Sequence, residues 1–119
     1  MMDTGYRTAG SVVSVLTKLQ IRSGKIDRVK QFLFSLNNRQ QEMEVLLREC
    51  QIHFDCSFVE SSHEGDYLYV FKQLSSNEDL VQKVVGSTLP VAAEIVAWAE
   101  ECFITREDLT PQAVFSRMS

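Results

Sequence analysis

Hydrophobic and polar positions alternate between Ser11 and Ile21. Val13, Val15, Leu19 and Ile21 fall at odd positions, and Ser14, Lys18 and Gln20 at even ones. A two-residue period in a run rich in β-branched side chains predicts a strand whose odd face is the better buried. Arg22-Ser23-Gly24 ends it. From residue 25 to 50 the period changes. Ile26, Val29, Leu33, Leu36, Met43, Leu47 and Cys50 recur at steps of three and four, one apolar stripe on a long helix that Gln40 interrupts. Alternation returns in Ile52, Phe54, Cys56 and Phe58, and again in Tyr67 through Phe71, on either side of a polar cluster holding Gly65. This is a β-hairpin signal. Asn77 suits the N-cap of a short helix over Leu80–Val85 that ends at Gly86, and Pro90 the first turn of another, striped by Val91, Ile95, Trp98 and Cys102. A short final strand is expected near 113–117.

The order is strand, helix, strand, strand, broken helix, strand. It predicts an α+β, ferredoxin-like βαββαβ sandwich, with an antiparallel sheet and both helical layers on one face. Residues 1–10 read as a flexible N-terminal tail and 11–119 as one domain. An even-length hairpin loop places Phe54, Cys56, Phe58, Tyr67, Tyr69 and Phe71 on one side. His53, Asp55, Ser57, Val59, Leu68, Val70 and Lys72 fall on the other. Neither side reads as fully wet, and the chain's own helices cover one only. The expected partner is a second copy, forming a homodimer through the sheet face.

Composition narrows the function classes. Apolar residues make up 45% and charged residues 24% of 119 residues, so disorder is excluded for most of the chain. Twelve basic and sixteen acidic residues give a net charge of −4, against the basic excess of a nucleic-acid binder. Half of the basic residues lie between Lys18 and Arg39, which suits the solvated face of a long helix better than a phosphate patch. Cys50, Cys56 and Cys102 form an odd set without a CxxC, as expected of free thiols. No run approaches the roughly 18 apolar residues that span a membrane, and no signal peptide is legible. The chain reads as cytoplasmic.

Chemistry is sparse. His53 and His63 have no ligand spacing, so no metal site is expected. GxSxG, GxGxxG and Walker motifs are absent, and no cofactor is implied. The weak ligand-binding candidates are Tyr67, Tyr69 and Trp98 as aromatic pocket walls with polar tips. His53 and Asp55 are a conceivable acid–base pair on one strand face, although Asp55 could instead pair with Lys72 across the hairpin. Lys18 is a cation on an otherwise buried strand. No catalytic residue is assigned.

Gly24-Lys25-Ile26-Asp27-Arg28-Val29, the helix with Leu36 and Arg39, and Glu60 through Gly65-Asp66-Tyr67-Leu68-Tyr69 carry a resemblance, joined by Trp98, Glu100, Glu101 and Cys102. Over roughly residues 15–105 the chain resembles a small bacterial and archaeal domain family of unknown function, similar to the dimeric α+β barrel group. That group includes monooxygenases, haem-degrading enzymes and isomerases. A histidine found in the family's last helix is replaced here by Ile95 and Val96, so a role built on it does not transfer. The expected function is a non-catalytic dimeric module that binds a small ligand or a partner. The alternative is a cofactor-independent monooxygenase- or isomerase-like enzyme acting on a small apolar or aromatic molecule. A closed cavity holding a titratable group would favour the enzyme, and a filled interior the module.

Overall fold

The hairpin anchors the sheet. In this computed structural model, which describes residues 7–8, 12–76, 79–115 and 117, β3 (Ile52–Ser62) returns as β4 (Gly65–Leu74) through the two-residue loop His63–Glu64. Gly65 sits at φ +139°, a conformation that side chains with a Cβ rarely adopt. Cys56 faces Phe71, Phe58 faces Tyr69 and Asp55 faces Lys72, so the even-length register predicted from sequence holds. A bulge between Ile52 and Phe54 removes His53 from the ladder.

The central strand β2 (Val12–Ile21) pairs antiparallel with β4 on one side and with β5 (Phe103–Leu109) on the other. The order is β5-β2-β4-β3. A two-residue strand β1 (Arg7–Thr8) pairs with Val12 and Val13, and the remainder of the expected tail lies outside the described residues. The last strand therefore begins at Phe103, not near residue 113, and 110–115 is irregular. It follows directly from α4 (Pro90–Cys102), because the Arg22 amide donates to the Cys102 carbonyl and carries the chain straight into the ladder.

The single long helix expected over 25–50 is two: α1 (Ile26–Asn37) and α2 (Gln40–Glu49). The Asn38 and Arg39 amides bond to the Ser35 and Leu36 carbonyls, three residues back. That closes a tight turn and ends the α-helical ladder. Arg39 then clamps the break, donating to Glu42 and, through both terminal nitrogens, to Glu94 of α4. The short helix α3 (Leu80–Val85) ends at Gly86, as expected, whereas the Asn77 cap lies outside the described residues.

The four helices of the described residues pack on one side of the sheet, and the architecture is the ferredoxin-like sandwich. The core forms in two halves. Val15, Leu46, Cys50, Ile52, Leu74, Leu80, Val91 and Ala92 pack at one end. Ile21, Val29, Phe32, Leu68, Val70, Trp98, Cys102 and Phe103 pack at the other. Leu36 and Ile95 touch both halves.

Candidate functional site

The two halves do not close on each other. A cavity of about 200 Å³ lies between sheet and helices, walled by Leu36, Leu47, Ile95, Trp98 and other apolar side chains. Its sheet wall also carries Thr17, Asp55, Ser57, Lys72 and Arg106. Polar groups at the middle of a helix-covered face cannot be sealed under apolar side chains without losing their hydration, so the core parts around them. A groove of about 400 Å³ shares Leu33, Leu36, Met43, Leu47, Asp55 and Ser57 with the cavity and adds Asn37 and Gln40. The mouth thus opens between the α1–α2 break and the edge strand β3. Asp55 stands in it: protein surrounds the side chain, yet solvent reaches it.

Register fixes the polar wall. Asp55 is directly opposite Lys72, and Thr17 is directly opposite both Val70 and Asp108. The Thr17 hydroxyl donates to Asp108 Oδ1 at 2.7 Å, and Arg106 donates to both Asp108 oxygens at 3.3 and 3.4 Å. Burial pushes Asp108 up, but these two donors and the positive charge of Arg106 and Lys72 outweigh it and hold the carboxyl below its ordinary value. Asp55 and Lys72 behave differently. Burial raises the Asp55 carboxyl, with Lys72 restoring only part of the shift. Burial likewise lowers the Lys72 amine, against the pull of Asp55. Among the described residues, neither side chain makes a hydrogen bond or a direct ion pair. Burial works against the charged form of each in the same wall.

Trp98 closes the far end. Its ring lies 4.8 Å from Phe32 and meets Phe103 edge-on at 5.0 Å. Its indole N–H is buried without an acceptor among the described residues. A buried donor left unpaired costs about 1–3 kcal/mol.

Of the residues singled out from sequence, only Trp98 and Asp55 meet at the cavity. Tyr67, Tyr69 and Lys18 lie on the opposite, open face of the sheet. There Lys18 Nζ stands 4.6 Å from the Tyr67 ring, and the Tyr69 hydroxyl donates to Glu60. That carboxylate raises the phenol above its ordinary value. His53, displaced by the bulge, is exposed and bonds Ser75 at 2.8 Å, so it forms no pair with Asp55. Thr17 and Arg106 joined the site unannounced, and Lys72, foreseen only as a cross-strand partner of Asp55, joined it as a cavity wall. Thr17 and Lys72 each occupy the buried parity of their strands, a polar residue between apolar ones, and that parity is the signal that could have found them. Among the described residues, no group of three or more His, Cys, Asp or Glu is placed to hold a metal ion, and no helix is long and apolar enough to cross a membrane.

Three solved structures are similar to this chain. A dimeric protein of unknown function and ferredoxin-like fold from Bacteroides fragilis is 17% identical, with 88% of this chain and 99% of that one covered and a TM-score of 0.51. Rv0793 from Mycobacterium tuberculosis is 18% identical, covering 89% and 100%, with a TM-score of 0.52. A candidate antibiotic biosynthesis monooxygenase from Bacillus cereus is 13% identical, covering 92% and 100%, with a TM-score of 0.48. No curated protein matches the chain. The profile of a family of unknown function, DUF6176, matches residues 12–117, and the chain belongs to that family.

Proposed function

We propose that the protein is a small-molecule-binding module whose cavity takes a single-ring or similarly small apolar molecule carrying one polar group. The observation that carries this reading is the cavity itself, an apolar chamber with Asp55 and Lys72 in one wall, neither the filled interior expected of a module nor the closed chamber expected of an enzyme, whose open mouth admits a guest. Its volume is below the roughly 300–1,000 Å³ of sites for drug-sized ligands, which limits the guest to about one ring. Apolar walls supply affinity, and the polar wall orients the guest's one polar group.

The module works as a homodimer joined through the open sheet face. Phe54 and Phe58 remain 49% and 59% exposed there, beside Leu16, Phe71 and Leu109. A contiguous apolar patch of this kind calls for a cover, and the Bacteroides fragilis relative is described as dimeric. Three free cysteines suit a reducing, cytoplasmic setting.

Trp98 is the chain's single tryptophan, so its fluorescence reports the cavity directly. Titration with benzyl alcohol should give a saturable change that Ala99→Leu abolishes. A flat response in the wild-type protein counts against the reading. One observation favours a catalytic use of the same chamber: Asp55 and Lys72 stand directly opposite each other in its wall, where burial disfavours the charged form of each, an arrangement that suits proton transfer on a bound guest. Exchange of a guest's acidic C–H for deuterium, lost in Asp55→Asn, would mark that use.

A further inference from the structure

Lys72 differs from the other lysines of the described structure. Lys25 is held by Glu101 at 3.1 Å, Lys83 donates to Gln51 at 3.3 Å, and Lys18 lies over Tyr67. Lys30 is exposed on α1. Lys72 stands in the cavity wall between Val70 and Leu74, opposite Val15 on one side and Asp55 on the other. Among the described residues, no hydrogen bond or direct ion pair holds its amine. We propose that Lys72 is the nucleophilic amine of the cavity and captures a small apolar aldehyde or ketone as an imine. The inference rests on the cavity's being a ligand site, the function proposed for it above.

The chemistry balances without a redox step. The uncharged amine attacks the carbonyl carbon, a C–N bond forms as the C=O π bond opens onto oxygen, and that oxygen takes one of the nitrogen's two protons to give a carbinolamine. Asp55, as its carboxylic acid, protonates the departing hydroxyl, which leaves as water. The C=N bond forms as the C–O bond breaks, and the nitrogen's remaining proton returns to Asp55. Burial favours the uncharged amine and the protonated acid that these steps require. The other charged groups acting on Lys72 are Arg106, which further disfavours its ammonium form, and Asp108, which favours it and is itself occupied by Thr17 and Arg106.

Borohydride trapping with benzaldehyde tests the proposal, read by intact mass and peptide mapping. Lys72 should acquire one benzyl group about tenfold or more faster than Lys25, Lys30 or Lys83. Benzyl alcohol should protect it, and Asp55→Asn should slow it. Equal labelling of all lysines overturns the proposal. Should a Lys72→Met control fail to fold, protection of the wild-type protein by benzyl alcohol still separates labelling inside the cavity from labelling at the surface. If benzyl alcohol shifts Trp98 fluorescence but Lys72 stays unlabelled, the imine falls while the cavity reading stands. If neither occurs, both fall.

Discussion

Asp55 and Lys72 face each other across the β3–β4 ladder on the side of the sheet that the helices cover, and neither reaches the other closely enough to pair. Two opposite charges set in a half-covered wall lose hydration without recovering it in a direct contact. Such an arrangement is poor for stability and useful for holding a guest.

The two aspartates of this face should respond oppositely to acid. Asp108 has a depressed carboxyl, so its stabilisation is present above the unfolded value and is lost as pH falls through the folded one. Asp55 has a raised carboxyl, so its contribution is present below the unfolded value and is lost as pH rises through the folded one. In melting curves between about pH 6 and pH 3, Asp108→Asn should lose less stability on acidification than the wild type. Asp55→Asn should start more stable than the wild type and forfeit that lead as pH falls. Each effect should stay below about 1 kcal/mol, since solvent reaches both groups. A shift of the same sign in both variants would contradict this account of the wall.

Filling the cavity should cost little, whereas emptying the packed core should cost much. Leu74 is fully buried in the first half of the core and does not line the cavity. Leu74→Ala should destabilise by about 2–5 kcal/mol in denaturant titration. Ala99 lines the cavity, so Ala99→Leu should cost less than the roughly 1–3 kcal/mol of overpacking a filled core. Comparable losses in the two variants would mean that no usable space exists.

Phe58 is the most exposed of the large apolar side chains on the open sheet face, and it stands opposite Tyr69. Phe58→Asp should weaken the proposed dimer by about 2 kcal/mol or more, roughly thirtyfold in dissociation constant, with the helical signal unchanged. Sedimentation equilibrium reads this. A wild-type protein that remains monomeric at micromolar concentration would refute the dimer.

Arg39 ties the α1–α2 break to α4 at the cavity mouth, and in doing so holds the Glu42 and Glu94 carboxyls below their ordinary values. Arg39→Gln should speed hydrogen exchange of the first α2 amides and raise both on- and off-rates for a cavity ligand. Unchanged exchange there would show that the clamp does not govern the mouth.

Much of the fold was legible in periodicity. The hairpin register followed from its even loop, because a two-residue period allows only two assignments of faces. What periodicity could not tell was which hairpin face meets the helices. Phe54, Phe58, Tyr67 and Tyr69 read as the greasier side, yet connectivity puts the other side under the helices, where Leu68, Val70 and Leu74 are buried. Trp98 and Asp55 could therefore be named from sequence, while the tyrosines and Lys18 went to the wrong side of the sheet for a shared site. Arg106 and Asp108 escaped because β5 carries charges along an edge and follows α4 without a turn residue. Lys72 was visible only as a cross-strand partner, since burial of an amine depends on the helices above it.

The most direct measurement is a crystal structure of the protein soaked with benzyl alcohol. The ring should be ordered between Leu36, Ile95 and Trp98, with its hydroxyl toward Asp55 and Lys72. A chamber closed by its own side chains, with the ring absent or bound only on the open sheet face, would contradict the account.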